Sequence, residues 1–320
     1  MISTAFVFPG QGSQRAGMGA ELASSYQFTA EYFSTSDDIV GFPLSRLCCV
    51  ADAETLRDTA VTQPAIFLVS VITMRALREH GVEPAIAAGH SLGEFAALVC
   101  AGVLDWTDAL ALVHLRGRLM AGVAAREAGA MAAVVGLDVR TVETLCAEVA
   151  DATGQVVEVA NDNAPDQVVV SGHTEAVALA TRRALAQGAV RAVPLPVGAP
   201  FHCSLMRDIE NEFCAAVAEV DVRPPRLTLV SSVTASRVHD AEFAREVLRR
   251  QLTGRVRWTD TVTEITGSGA EHLVEVGPGR VLSKLCRRIA PGLPVLPTAT
   301  DDELRTAART LGLVPIAPLS

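Results

Sequence analysis

Ala85-Ile86-Ala87-Ala88-Gly89-His90-Ser91-Leu92-Gly93-Glu94-Phe95-Ala96-Ala97-Leu98-Val99-Cys100 is the stretch from which the fold of this chain is read. Residues 85–88 are short and apolar, as a strand buried on both faces requires. Gly89-His90-Ser91-Leu92-Gly93 then follows the pattern G-x-S-x-G. Glycines two before and two after the serine permit the sharp strand-to-helix turn that lifts a hydroxyl clear of a sheet. A helix over residues 94–100 points its N-terminus back at Ser91, and the backbone N–H of Leu92 comes into position to hold an oxyanion. Strand before and helix after are the context that marks a nucleophile; the plainer reading is a turn with a capping serine.

Outward from this turn, residues 5–8 read as a second buried strand. The turn formers Pro9-Gly10-Gln11-Gly12-Ser13-Gln14 end it. Pro64 reads as the first position of an apolar helix over 65–79 that Gly81 closes, and Thr107 as the cap of a helix running to about residue 122. Strands alternating with helices predict an α/β fold with a mostly parallel sheet covered on both faces. The middle of the chain differs. Strand 131–135, helix 141–153, strand 156–160, a turn over 161–166, strand 168–171, helix 174–187 and strand 189–194 spell βαββαβ, the ferredoxin-like unit. Alternation resumes after residue 199, with strands at 227–231 and 272–276. The expected organisation is therefore a large α/β subdomain in two parts, 1–127 and 199–320, carrying an inserted ferredoxin-like small subdomain over 128–198.

Composition narrows the function. With 320 residues, 49% of them hydrophobic and 20% charged, the chain is neither a disordered tail nor a polyelectrolyte. A formal net charge of −9 argues against nucleic acid as a partner. Seven scattered cysteines without C-x-x-C spacing predict neither a disulfide framework nor a zinc site, and suit a reducing cytoplasm. The N-terminus lacks a basic region and reaches Pro9 too soon for a signal peptide. No apolar run approaches the roughly 18 residues of a membrane span, so no membrane partner is expected.

A serine nucleophile needs a base, and there are seven histidines to choose from. His80, His173 and His239 lie in or beside polar loops. His114 falls within a helix and His272 opens a strand, both structural placements. His90 adjoins Ser91, but the elbow points the two side chains apart. His202, in Val197-Gly198-Ala199-Pro200-Phe201-His202, stands where the small unit rejoins the large one and a cleft forms, and is the expected base. Arg116 shares a helix face with Leu112, Val113, Leu119 and Met120, while Arg118 points the other way. A guanidinium on an apolar face must be paired or functional. It either bridges to a core carboxylate such as Glu94 or offers a planar fork to a substrate carboxylate.

Phe8-Pro9-Gly10-Gln11-Gly12-Ser13-Gln14, Gly89-His90-Ser91-Leu92-Gly93-Glu94, Arg116-Gly117, Pro200-Phe201-His202, Gln251-Leu252 and Glu275-Val276-Gly277-Pro278-Gly279 are similar, in this order, to blocks of the malonyl-CoA:acyl carrier protein transacylases. That family includes the acyltransferases of polyketide synthesis. The resemblance runs from Ala5 to about Ile289. It implies a hydrolase-like large subdomain with a ferredoxin-like insert, Ser91 as the acylated nucleophile, His202 as its base, and Gln11 with Leu92 as the oxyanion N–H groups. It further implies that Arg116 grips the malonyl carboxylate and that Gln251 lies beside the dyad, where this family orients the histidine through a backbone carbonyl or an amide. His90 and Phe201 would border the substrate; Phe201 is found in many malonyl-selective polyketide enzymes where fatty-acid enzymes often have Ser. The implied reaction is ping-pong transfer of malonyl from a CoA thioester to the phosphopantetheine thiol of an acyl carrier protein, without a metal or redox cofactor.

Two other readings compete. An α/β-hydrolase, a thioesterase or esterase, shares the elbow but runs Ser, acid, His along the chain, an order only His272 with Asp260 could imitate. A scaffolding subunit would keep the fold without the chemistry. If the partner is an acidic carrier protein, the basic stripe of Arg280, Lys284, Arg287 and Arg288 is the expected docking face, with Arg182, Arg183 and Arg191 as the other candidate.

Overall fold

Along the first strand, Phe6 and Phe8 join one apolar core while Ala5 and Val7 join another, and this two-residue alternation separates the two layers of helices. The computed structural model describes residues 3–311 apart from 53, 127 and 198. Its strands are β1 (Thr4–Phe8), β2 (Ile86–Gly89), β3 (Gly129–Val135), β4 (Val157–Ala164), β5 (Gln167–His173), β6 (Arg191–Pro194), β7 (Thr228–Val230), β8 (Arg237–Val238), β9 (Val256–Arg257), β10 (His272–Glu275) and β11 (Val295–Pro297). They form a six-stranded sheet in the order β11-β10-β1-β2-β7-β8 and a five-stranded sheet in the order β6-β3-β5-β4-β9.

The large sheet is parallel except for β8. Phe6, Phe8, Ala87 and Leu229 pack with the long helices Thr59–Glu79 and Trp106–Arg126. Ala5, Val7, Ile86 and Val230 pack with helices Trp258–Gly267 and Val281–Ile289 on the other face. The small sheet pairs its β6, β3, β5 and β4 antiparallel, the strand order of a ferredoxin-like unit. One of its faces is covered by helices Val139–Thr153 and Thr174–Ala186. β9, from far along the chain, adds a parallel fifth strand to its β4 edge. The boundaries expected at residues 127 and 198 fall outside the described residues.

Several local expectations are corrected. The helix expected to begin at Pro64 begins at Thr59, because the Asp58 carboxylate accepts the Ala60 N–H as its cap; Pro64 lies inside the first turns. So extended, Thr59–Glu79 is long and apolar enough to cross a membrane, which no run was expected to be, yet 83% of that span is buried inside the fold. The helix assigned to a Thr107 cap begins at Trp106 and runs on to Arg126. The turn expected over 161–166 shrinks to Pro165-Asp166, and Asn161, Asp162 and Asn163 belong to β4. Two register shifts re-aim these polar residues, and each of Asp162 and Asn163 finds a side-chain partner, Thr259 and His90. His80, expected in a polar loop, is buried with Nε2 against the Tyr26 hydroxyl at 3.0 Å.

The elbow rests on two close approaches. A Cβ on Gly89 would stand 2.0 Å from the Gly93 carbonyl carbon, and one on Gly93 would stand 2.0 Å from the Phe8 carbonyl oxygen. Only glycine lets the helix Gly93–Cys100 start directly over the ends of β1 and β2. Gly93→Ala is therefore expected to lower stability by more than about 3 kcal/mol or to prevent folding. Gly267→Ala, with open space around it at a helix end, should stay within about 1 kcal/mol of the parent. Urea melts of the two variants check this: comparable losses would mean that the clash at Gly93 is relieved by backbone movement.

Candidate active site

β2 ends at Gly89, and the chain turns through Ser91 with φ of 52°, in the left-handed region that non-glycine residues seldom occupy. His202 is the second such residue, with φ of 57°. Its loop is pinned to the small sheet because the Glu158 carboxylate accepts both the N–H and the hydroxyl of Ser204, at 3.0 and 2.5 Å. Two strained residues thus face each other across the junction of the two sheets, as strain at functional sites leads one to expect. The Ser91 hydroxyl donates to His202 Nε2 at 2.6 Å.

The other imidazole nitrogen fixes the tautomer. His202 Nδ1 lies 2.9 Å from the Gly254 carbonyl oxygen, which can only accept, so Nδ1 carries the proton and Nε2 presents its lone pair to Ser91. Burial, followed by the nearby Arg116 guanidinium, pushes the His202 pKa down to about 3, against the upward pull of the Gly254 carbonyl. The imidazole is neutral at pH 7 and able to take a proton.

Arg116 is only 1% exposed. Its Nη1 donates to Gln63 Oε1 at 2.6 Å, and its Nη2 donates to Gln251 Oε1 at 2.9 Å and to Ser91 Oγ at 3.2 Å. The direct bridge to Glu94 is absent among the described residues. Gln251 lies between, its Nε2 donating to Glu94 Oε2 at 2.8 Å and to the Ser91 carbonyl at 2.9 Å. Nε of Arg116 is buried without a partner. Desolvation lowers the arginine pKa to about 10, partly offset by Glu94, and it remains a cation.

These groups meet at a cavity of about 420 Å³ lined by Gln11, His90, Ser91, Leu92, Arg116, Phe201 and His202. Met131, Ala133, Val169 and Leu195 from the small sheet form its apolar wall. Among the described residues, no acceptor takes the backbone N–H of Gln11 or Leu92, while the Gln11 side chain donates to Thr59 Oγ1 at 3.1 Å. His90 turns away from Ser91, its Nε2 donating to Asn163 Oδ1 at 2.8 Å and its ring lying edge-on to Trp258.

Gln251 is fully buried behind Arg116, beside the dyad but away from the cavity lining, and the carbonyl that orients His202 is that of Gly254. The basic stripe is reduced: Arg280 precedes its helix and pairs with Glu303, and Arg288 pairs with Asp166, leaving Lys284 and Arg287 exposed without a carboxylate partner among the described residues. The hydrolase pair is apart from the elbow: His272 pairs with Thr4 at the far end of β1, and Asp260 lies in the first turn of the helix Trp258–Gly267, held by Arg257. Gln63 and Asn163 went unread: Gln63 stood just before the helix expected to open at Pro64, and Asn163 in the segment expected to turn.

The chain and its fold are similar to known proteins. Residues 5–290 match the family described as the acyl transferase domain. The malonyl CoA-acyl carrier protein transacylase of Escherichia coli O157:H7 is 44% identical over 294 residues, covering 92% of this chain and 94% of that protein. A type II PKS malonyl-transacylase solved in complex with its acyl-carrier protein superposes with a TM-score of 0.92 at 41% identity, over 96% of this chain and 99% of that one. The malonyl CoA-acyl carrier protein transacylase of Coxiella burnetii gives 0.91 at 38% identity, over 97% and 98%.

The depressed His202 pKa has a consequence for stability. The folded state keeps this imidazole neutral while the unfolded chain binds a proton below about pH 6.5, so stability is lost as pH falls from there toward the folded pKa. Relative to parent protein, His202→Gln should be spared up to about 2 kcal/mol of the loss between pH 6.5 and 5. Chemical denaturation at both pH values measures it; parallel losses would show that His202 titrates normally in the fold.

Proposed function

This chain belongs to the acyl transferase domain family, and on that premise we propose how its cavity moves a malonyl group from CoA to the phosphopantetheine thiol of an acyl carrier protein. The observation that carries the reading is the 2.6 Å contact from Ser91 to an imidazole whose other nitrogen a backbone carbonyl holds, beside a buried arginine.

In the first half-reaction His202 Nε2 takes the Ser91 proton while Oγ attacks the thioester carbon. The oxyanion that forms is received by the free N–H groups of Leu92 and Gln11, which need no reorganisation. The imidazolium forms next to Arg116, an unfavourable neighbour, and the Gly254 carbonyl offsets this by accepting from Nδ1. Collapse breaks the carbon–sulfur bond, and the departing CoA sulfur takes the proton back from His202. In the second half-reaction the carrier's thiol gives its proton to the same nitrogen, sulfur attacks the Ser91 ester, and Oγ leaves with that proton. No atom is left over, so the residues return to their starting state.

Arg116 supplies the selectivity. Its Nε has no partner in the fold, and a carboxylate brought there is a charge-assisted ligand in a desolvated site. Phe201 and His90 border the space beside it. Lys284 and Arg287, one of them a turn beyond the cavity residues Val281 and Leu282, are the proposed contact for an acidic carrier protein. All seven cysteines are free thiols, which supports a cytoplasmic setting.

Ser91→Ala is expected to give no malonyl adduct by intact-protein mass spectrometry after mixing with malonyl-CoA, with the melting curve nearly unchanged. Labelling at the parent rate would remove Ser91 from the role. Arg116→Ala should cost malonyl acylation at least tenfold to a hundredfold, from an interaction of about 1.5–3 kcal/mol, and acetyl acylation far less. Equal losses would make Arg116 a structural residue. Reversing Lys284 and Arg287 to Glu should raise the KM for the carrier protein and leave acylation by malonyl-CoA as it was, whereas unaltered carrier kinetics would move docking to the small-subdomain arginines.

A further inference from the structure

Glu94 is 1% exposed, yet it is a carboxylate on the first turn of the elbow helix, three residues from Ser91. A buried carboxylate needs compensation, and here most of it comes from dipoles. The Ser232 N–H donates to Oε1 at 3.1 Å and Gln251 Nε2 donates to Oε2 at 2.8 Å. Arg116 attracts it from beyond Gln251, with no direct contact between the two among the described residues.

The Gln251 amide has two unlike ends, and its surroundings dictate which way it faces. Its nitrogen meets two acceptors, the Glu94 carboxylate and the Ser91 carbonyl. Its oxygen meets one donor, Nη2 of Arg116. Turning the amide over would set NH₂ against the guanidinium and oxygen against the carboxylate, so the orientation is locked while Glu94 only accepts. Gln63 Oε1 holds the other terminal nitrogen of Arg116, and the guanidinium is bracketed by two amide oxygens with Ser91 Oγ in reach. This arrangement differs from an ion pair in one way that matters for binding. A carboxylate placed directly on Arg116 would occupy the fork; a carboxylate acting through an amide leaves Nε without a partner.

We propose that Glu94 is a positioning residue for substrate selection: through the Gln251 amide it fixes the guanidinium of Arg116 against Ser91 and keeps that fork open for the free carboxylate of the acyl group. The proposal rests on the reading of Arg116 given above and assigns to Glu94 a share in discriminating between acyl groups with and without a carboxylate. Glu94 does not touch the substrate. Burial, countered by its hydrogen bonds and by Arg116, raises its pKa to about 7. It is thus substantially an acceptor-only carboxylate at pH 7.5 and above.

The test is a cycle of Glu94→Gln, Arg116→Ala and the double variant at pH 8, with first-order acylation by malonyl-CoA and by acetyl-CoA followed in quenched mass spectrometry. Glutamine at 94 brings a donor where a donor already points, so the Gln251 amide turns and Arg116 loses its acceptor. The expected result is a malonyl acylation efficiency lower by about tenfold or more, residing mainly in KM, with the acetyl rate within about threefold of the parent. In the Arg116→Ala background, adding Glu94→Gln should then change malonyl acylation by less than about threefold, since the path it acts through is gone. Equal losses for both acyl groups, or losses that multiply in the double variant, overturn the proposal and leave Glu94 as a packing element. A malonyl preference lost in Arg116→Ala but kept in Glu94→Gln overturns Glu94 alone. A preference kept in Arg116→Ala overturns the reading of the arginine and this one with it. Should Glu94→Gln fail to fold, Gln251→Met breaks the link from its middle, and the same ratios decide.

Discussion

The site depends on one steric fact, the passage of Gly93 beneath the carbonyl of Phe8 with no room for a side chain. That contact brings the start of a helix, the end of β2 and the loop after β1 to one point. Ser91 inherits its left-handed backbone from it, the Leu92 N–H inherits its freedom from an intrahelical partner, and Gln11 is brought alongside because Gly10 also packs closely on the His90 carbonyl. Backbone packing places the nucleophile and the two N–H groups. Side chains then decide what the nucleophile does.

The charges are arranged with economy. Among the described residues lining the cavity there are arginines and histidines but no carboxylate, so an acyl group with a negative end meets no like charge from them. The Glu94 carboxylate is set back from the guanidinium, behind Gln251. His202 is likewise oriented by a neutral carbonyl, where an aspartate would have added a second buried charge beside the first. The consequence is a neutral base near a retained cation, a combination suited to binding an anion and deprotonating a hydroxyl within the same few ångströms.

Much of this could be read from the residues alone, and the reason is physical. The elbow glycines, the alternating strands and the buried position of Arg116 are local patterns, each dictated by backbone sterics or helix periodicity. The βαββαβ order emerged the same way, and its four strands pair in the ferredoxin-like order, with β9 as an unforeseen fifth. Partners across the chain were harder. Gln63 and Gln251 are separated from Arg116 by 53 and 135 residues, and no local pattern announces which amide a guanidinium will find. Asn161 to Asn163 were mistaken for a turn because polar residues in a strand make sense only once their partners, Thr259 and His90, are in place. Pro64 misled for a related reason: a helix tolerates proline in its first turns, and the Asp58 cap set the start upstream.

β9 limits the modularity of the fold. The small sheet looks like a cassette, since its first four strands lie in one continuous stretch of chain, but its fifth arrives from Val256–Arg257. The insert is stitched to its host along the β4 edge, next to the residues that hold His90 and just after the Gly254 carbonyl that holds His202. A graft that exchanged only the contiguous stretch would bring a foreign β4 against a native β9, and any mismatch in that two-residue register would be transmitted directly to both histidines. The unit of exchange between such proteins is therefore the insert together with the segment near residue 256, two pieces that the linear sequence keeps apart.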